Sequence, residues 1–221
     1  GLGMMGILPS FHGFGLCIQM HASFYIGMTL ALIPKFSNKA AMQAFNDLKI
    51  GCMICVPNAF ESLVRDEKFR NSKRLKWLLA CFLGGDSMNA TLKEKFDEVL
   101  IKAKAKARLF EGYGLTESIS VVIVNTHDHN KLGSIGYPSS GIEVKILDED
   151  NKEVPRGEIG EICVKSLTNM IGYFKDEEAT KAAIIDGYLH TGDLGYMDEE
   201  DFVFFKQRKK RVVKVSGVGV F

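Results

Sequence analysis

Residues 75–118 read LKWLLACFLGGDSMNATLKEKFDEVLIKAKAKARLFEGYGLTES, and the fold class follows from how this stretch divides. The opening segment, LKWLLACFLGG, is a continuous apolar run closed by two glycines, the pattern of a strand buried on both faces. Asn89 or Thr91 then stands where a helix N-cap accepts backbone N–H groups. The helix that follows carries Glu94, Asp97 and Glu98 ahead of Lys102, Lys104 and Lys106, an order that complements the helix dipole. It runs into a second strand at Arg108–Phe110 and then into EGYGLTES (111–118). Strand, helix and strand with apolar strands predict a mostly parallel sheet covered by helices.

The alternation extends upstream. SNKAAMQAFNDLKI (37–50) predicts a helix, GCMICVP (51–57) a strand and NAFESLVRDEKF (58–69) a helix. GFGLCIQMHASFYIGMTLALI (13–33) lacks Lys, Arg, Asp and Glu and has the length of a membrane span. Gln19, His21 and Ser23 fall inside it and Gly27 divides it, so a buried helix followed by a buried strand is predicted. Downstream the texture changes. GIEVKILDEDNKEVPRGEIGEICVKS (141–166) alternates apolar and polar residues about a turn, as an antiparallel hairpin does. GYFKDEEATKAAI (172–184) predicts a short helix, and residues 187–221 predict short strands and glycine turns. The predicted organisation is an α/β subdomain over residues 1–130, a smaller β-rich, distorted barrel-like subdomain over 131–205, and a hinge with the start of a further domain over 206–221.

Composition removes several function classes. The 221 residues are 46% hydrophobic and carry a net charge of +1 from 28 Lys+Arg against 27 Asp+Glu, so no global field favours nucleic acid or an anionic membrane. The N-terminus has no basic region and no cleavage site of a signal peptide. Five scattered cysteines suit a reducing compartment, and a cytoplasmic protein without a membrane span is expected. Cys52 and Cys55 have metal or redox spacing, but residues three apart on a strand face opposite sides, so both are expected to be structural. His127 and His129 read as a polar loop, and His21 and His190 have no evident partners.

The chemistry concentrates in two places. In EGYGLTES, Gly112 and Gly114 let backbone approach a ligand, Tyr113 offers a flat face, and Thr116 and Glu117 offer hard oxygens suited to a phosphate-bound Mg²⁺. The octapeptide is equally an ordinary glycine turn leading into a helix. In HTGDLGYM (190–197), Asp193 between two glycines in a turn can accept two hydrogen bonds from a vicinal diol such as ribose, although a turn aspartate often binds its own backbone.

Six segments in order resemble the adenylate-forming superfamily, which includes acyl-CoA synthetases, peptide-synthetase adenylation domains and beetle luciferases. They are LPSFHGFG (8–15), GGDSM (84–88), EGYGLTES, GEIGEICVKSLTNMIGYFKDEEAT (157–180), YLHTGD (188–193) and RKKRVVKVSG (208–217). The resemblance covers nearly the whole chain and implies two half-reactions. A carboxylate attacks the α-phosphate of ATP to give an acyl-adenylate, and a thiol, usually of coenzyme A, then displaces AMP. It implies that Tyr113 stacks on adenine and that Gly84, Gly85, Asp86, Glu111, Gly112 and Gly114 lie along the nucleotide. His12, Gly84 and Gly85 border the acyl pocket. Thr116 contacts the α-phosphate, Glu117 binds Mg²⁺, and Asp193 and Arg208 hold the ribose. Lys210 is implied as the hinge and Lys214 as part of the thioester-forming face.

The phrasing is closest to fatty-acyl-CoA ligases, because the segment after His12 lacks the aspartate that holds an amino group in amino-acid adenylation domains. A fatty acid, ATP and coenzyme A are therefore the expected small-molecule partners, with Mg²⁺ as the metal. Gln207 stands where the family usually has Gly or Asp. The family's phosphate loop and its adenylation lysine are expected outside this sequence, so the isolated chain is expected not to turn over. Two other readings stay open: loading of a carrier-protein thiol, and a nucleotide-binding remnant without turnover. Acyl chain length and oligomeric state stay open too.

Overall fold

The structure is a computed structural model of the 221-residue chain and describes residues 1–86, 89–209, 213–215 and 218–220. The chain divides into two compact units, Gly1–Glu111 and Gly112–Phe221.

The first unit opens with strand β1 (Gly3–Gly6), a π-helix (Phe14–His21), helix α1 (Ala22–Tyr25) and strand β2 (Thr29–Leu32). Helix α2 (Asn38–Asp47) follows, started by Ser37, whose hydroxyl accepts from the backbone N–H of Ala40. Strand β3 (Ile50–Cys55) leads to helix α3 (Pro57–Arg65), which starts with proline at its first position, where no partner for an N–H is needed. Asp66 ends α3 and caps helix α4 (Glu67–Arg70). A 3₁₀ turn (Lys73–Trp77), strand β4 (Ala80–Leu83), helix α5 (Ala90–Lys102) and strand β5 (Leu109–Leu115) complete the series. All strand pairings here are parallel, in the order β2-β1-β3-β4-β5. Parallel neighbours need crossover connections, and the intervening helices supply them.

The core of this unit joins sheet to helices. Phe45 on α2, Phe60 on α3, Phe69 on α4 and Phe96 on α5 are fully buried. Phe60 and Phe96 meet edge to face at 4.8 Å, and Phe69 lies 5.8 Å from both Phe45 and Phe96. Met5, Met53, Leu83 and Leu109 extend the same cluster across β1, β3, β4 and β5.

β5 carries the boundary between the units. Its first residues pair in parallel with β4, and Gly112–Leu115 pair antiparallel with strand β6 (Ser120–Val124). In the second unit β6 pairs with β7 (Tyr137–Pro138). A separate antiparallel sheet contains β8 (Glu143–Leu147), β9 (Gly160–Lys165), β10 (Ile184–Ile185), β11 (Tyr188–Met197) and β12 (Val203–Arg208), with helix α6 (Glu177–Ala183) ahead of β10. The order is β10-β11-β9-β8, and β12 pairs with β11. β13 (Val213–Val215) and β14 (Val218–Val220) form a two-stranded pair. The core here is Val122, Ile123, Val144, Ile146, Ile162, Val164, Met197 and Val203. The α/β class, a parallel sheet followed by antiparallel strands, is as the sequence predicts.

Several local expectations are corrected. β1 lies between β2 and β3, yet its four residues, GMMG, are too short and too glycine-rich to signal a strand. Residues 13–33 do form helix and then strand, but not buried ones: Tyr25 at the end of α1 is 93% exposed, and Leu32 is 62% exposed on β2, which ends the sheet on that side. The first half of LKWLLACFLGG is the 3₁₀ turn, its backbone closing from Leu78 N to Leu75 O. α5 stops at Lys102, and Lys104 adopts a left-handed φ of 58°, so Lys104 and Lys106 lie beyond the helix and only Lys102 is in its last turn. No described helix is long and apolar enough to cross a membrane.

Phe96 sits where three helices meet, so Phe96→Ala is expected to lower the unfolding free energy by about 3–5 kcal/mol. Leu32→Ala, at an exposed edge, should change it by less than about 0.5 kcal/mol. Urea denaturation of the two variants measures the difference, and equal losses would remove the aromatic cluster from its central role.

Candidate functional site

In the first unit the segment from Leu8 to the start of the π-helix is held by Gln19, which the sequence pattern did not single out as a site residue. Gln19 is 1% exposed. Its Oε1 accepts from Leu8 N at 2.8 Å, and its Nε2 donates to Leu8 O at 3.3 Å. The amide thereby satisfies backbone groups that a buried loop would otherwise leave unpaired. His12 is exposed, and its Nδ1 accepts from the backbone N–H of Phe14 at 3.2 Å, which places the ring proton of the neutral form on Nε2. Phe14 turns inward against Gly84, just beyond β4. A Cβ on Gly84 would meet the Phe14 ring at 2.7 Å, so any other residue there would displace that ring. Gly85 and Asp86 follow as exposed residues, whereas Ser87 and Met88 of the same segment lie outside the described residues.

Lys93 on α5 is buried, donating to Leu109 O at 2.7 Å and standing 3.8 Å from Asp97. Asp97 accepts from Leu109 N at 2.8 Å. This pair fixes the start of β5, two residues ahead of Glu111. Burial pushes the Glu111 carboxyl above its ordinary range, partly offset by the Lys93 charge. Cys52 and Cys55 are free thiols on β3, and burial raises both, Cys52 to about 12. Burial that disfavours the thiolate suits a packing role for the two residues.

In the second unit the structure brings Tyr113, Asp193 and Arg208 together. Asp193 is 3% exposed. The Tyr113 hydroxyl donates to its Oδ2 at 2.7 Å, and Arg208 Nε stands 3.0 Å from its Oδ1. Burial first, and the Asp193 charge second, hold the Tyr113 phenol well above its ordinary value, so it stays a donor. Asp193 is not in a turn, as its flanking glycines suggested. It lies in β11 within an irregularity: His190 pairs with Cys163 and Leu194 with Glu161, so Thr191, Gly192 and Asp193 face the single residue Ile162 on β9. Gly192 has a φ of 71°, which only glycine adopts without strain. A bulge re-aims a side chain in this way. On the other side Asp193 pairs in register with Arg208 of β12.

After β5 the chain makes a 3₁₀ turn at Thr116–Ser118. Thr116 is exposed and Glu117 half-buried. Tyr173 donates its hydroxyl to Glu117 Oε1 at 2.9 Å, and Met170 N donates to Glu117 O at 2.6 Å. Burial and then the neighbouring Glu117 push Tyr173 up to about 12. Tyr173 was not anticipated as a site residue, although it belongs to the segment GYFKD that follows the hairpin. His190, which seemed partnerless, contacts Glu161 at 2.9 Å and Cys163 at 3.5 Å. Lys210 lies outside the described residues, and Lys214 falls in β13.

A family model described as AMP-binding enzyme matches residues 2–174. A long-chain-fatty-acid–CoA ligase of Bacillus subtilis is 33% identical over 220 residues, covering 99% of this chain and 38% of that protein. A luciferin 4-monooxygenase of Nipponoluciola cruciata is 32% identical, covering all of this chain and 39% of that protein. Among solved structures, o-succinylbenzoate coenzyme A synthetase of Bacillus subtilis in complex with ATP and magnesium superposes with a TM-score of 0.83 at 29% identity, over 99% of this chain and 44% of that one. The chain thus spans about two fifths of the length of the curated relatives it matches along its whole length. With matching sequence, fold and order of segments, this chain belongs to the AMP-binding enzyme family, the adenylate-forming enzymes.

Proposed function

We propose that the intact protein is an AMP-forming acid–thiol ligase that activates a fatty acid as its acyl-adenylate and transfers it to coenzyme A. The observation that carries this reading is the buried Asp193 carboxylate, fixed by a phenol at 2.7 Å and a guanidinium at 3.0 Å. A carboxylate held in one orientation suits two-point recognition of a ribose diol, with Arg208 beside it, while the Tyr113 ring is assigned to adenine. Gly84, Gly85, Asp86, Glu111, Gly112 and Gly114 are assigned to the nucleotide, and His12 with Gly84 and Gly85 to the acyl group. Lys210 is assigned as a hinge and Lys214 to the thioester step. The 33% identity to a fatty-acid ligase supports the substrate class, and five free thiols support a cytoplasmic location.

Attack on the α-phosphorus builds negative charge on the phosphoryl oxygens, which fixed donors stabilise. The exposed Thr116 hydroxyl is assigned to that role. Glu117 and Thr116 present hard oxygens, the donor class that Mg²⁺ takes, and Tyr173 keeps the Glu117 carboxylate oriented. When bound there, Mg²⁺ supplies charge neutralisation of the phosphate oxygens. The 221 residues alone are proposed to be insufficient for turnover, since they correspond to about two fifths of the relatives' length.

Incubating the intact protein with ATP, Mg²⁺, a fatty acid and coenzyme A should release AMP with formation of acyl-CoA. Thioester formation only on a carrier-protein thiol would move the acceptor. Nucleotide binding with no acid-dependent pyrophosphate exchange would make the protein a remnant.

Asp193→Ala is expected to weaken AMP binding by about 1.5–3 kcal/mol, roughly 10–150-fold, in calorimetric titration. An unchanged affinity would remove Asp193 from the nucleotide site. Glu117→Gln should leave AMP affinity nearly intact, lower the adenylation rate at least about 100-fold and raise the Mg²⁺ concentration for half-maximal exchange. Single-turnover adenylation at several metal concentrations tests this, and a rate equal to wild type would place the metal elsewhere.

A further inference from the structure

Next to Asp193 lies a second buried carboxylate that the assigned chemistry does not use. Glu161 on β9 is 6% exposed. Its Oε1 accepts from the backbone N–H of Gly192 at 2.8 Å. Its Oε2 meets His190 Nδ1 at 2.9 Å and Lys209 Nζ at 2.8 Å. Because an ionised carboxylate can only accept, the His190 proton sits on Nδ1. The three partners are placed around the bulge. His190 is the last regular pair before it, Gly192 is its middle residue, and Lys209 follows Arg208, with its own backbone N–H donating to Gly192 O at 2.8 Å.

We propose that Glu161 is a positioning residue: by clamping Gly192 and Lys209 it sets the orientation of the neighbouring Asp193–Arg208 pair, and hence the enzyme's discrimination for the ribose hydroxyls. This rests on the assignment of Asp193 to the ribose. The clamp acts on the backbone on either side of the recognition pair, since Gly192 precedes Asp193 and Lys209 follows Arg208. Thr191 contributes on the same bulge, its hydroxyl donating to Ile162 O at 2.7 Å and accepting from Asp193 N at 3.1 Å. Burial on its own would raise the Glu161 carboxyl, but Lys209, His190 and the Gly192 N–H together hold it below its ordinary range, so it is ionised at neutral pH.

A metal reading of the same residues is weaker. Glu161, Cys163 and His190 place ligand atoms within 4.8 Å of one another, but the Lys209 ammonium already occupies the carboxylate oxygen that His190 shares. A second cation there meets like charge.

The test compares AMP with 2′,3′-dideoxyadenosine monophosphate, which lacks the hydroxyls, by calorimetry on the intact protein. Wild type should prefer AMP, and Asp193→Asn should abolish most of that preference. Glu161→Gln and Lys209→Met should cut it by about fivefold or more, the size of one hydrogen bond's worth of orientation, while affinity for the dideoxy nucleotide stays the same. Lys209→Arg should restore it, which a merely stabilising role does not predict. If Asp193→Asn abolishes the preference while Glu161→Gln and Lys209→Met both keep it, the positioning role is overturned and the ribose assignment stands. If Asp193→Asn keeps the preference, the ribose assignment falls, and the positioning role with it. Should Glu161→Gln not fold, Lys209 is 43% exposed at its side chain, and the Met and Arg variants decide the matter alone.

Discussion

A negative charge buried in the second unit sets the constraint to which the surrounding strands conform. Taking a carboxylate out of water costs several kcal/mol unless paired charges and hydrogen bonds compensate it. Asp193 meets that condition through Tyr113 of β5 and Arg208 of β12. Asp193 sits at a bulge of β11, where three residues lie opposite Ile162. The bulge in turn needs a left-handed backbone at Gly192 and something to hold it, which Glu161, Thr191 and the Lys209 backbone provide. The compensating groups come from β5, β9, β11 and β12 and from Lys209 just after β12.

The first unit answers a different problem, that of joining parallel strands. Each crossover helix must bury its apolar side on the sheet, and four phenylalanines from four helices meet for that purpose. The result is a stable base for the ends of β4 and β5, where the chain turns glycine-rich. At the end of β4, Gly84 admits the Phe14 ring. At the start of β5, the buried Lys93 and the half-buried Asp97 satisfy the two backbone groups of Leu109. Packing energy is thus spread through the helices, and polar side chains are kept for the places where backbone direction matters.

For function, the division of labour on β5 is informative. One strand ends in a segment that supplies an aromatic ring, a hydroxyl and an acid within five residues, Tyr113 to Glu117. Tyr113 and Glu117 each have a second tie in this unit, Tyr113 to Asp193 and Glu117 to Tyr173. Groups locked by neighbours lose little entropy on binding, which is what preorganisation means physically.

The sequence by itself determined the α/β class, most element positions and the family. Apolar runs such as GCMICVP, the cap at Asn89 and the alternation in 141–166 are local signals that report on local structure. It also pointed to Tyr113, Asp193 and Arg208, because the order of six segments is itself a pattern. It did not reveal β1, the 3₁₀ turn within LKWLLACFLGG, or the exposure at 13–33, which depend on which strand ends up beside which. Nor did it reveal that Asp193 sits in a bulged strand, that Tyr173 leans on Glu117, or that His190 and Lys209 share Glu161. Glu161 and Lys209 are 48 residues apart, and Tyr113 and Asp193 are 80 apart. Only strand pairing converts such separations into hydrogen bonds, because register, a long-range property of the sheet, decides which side chains face one another.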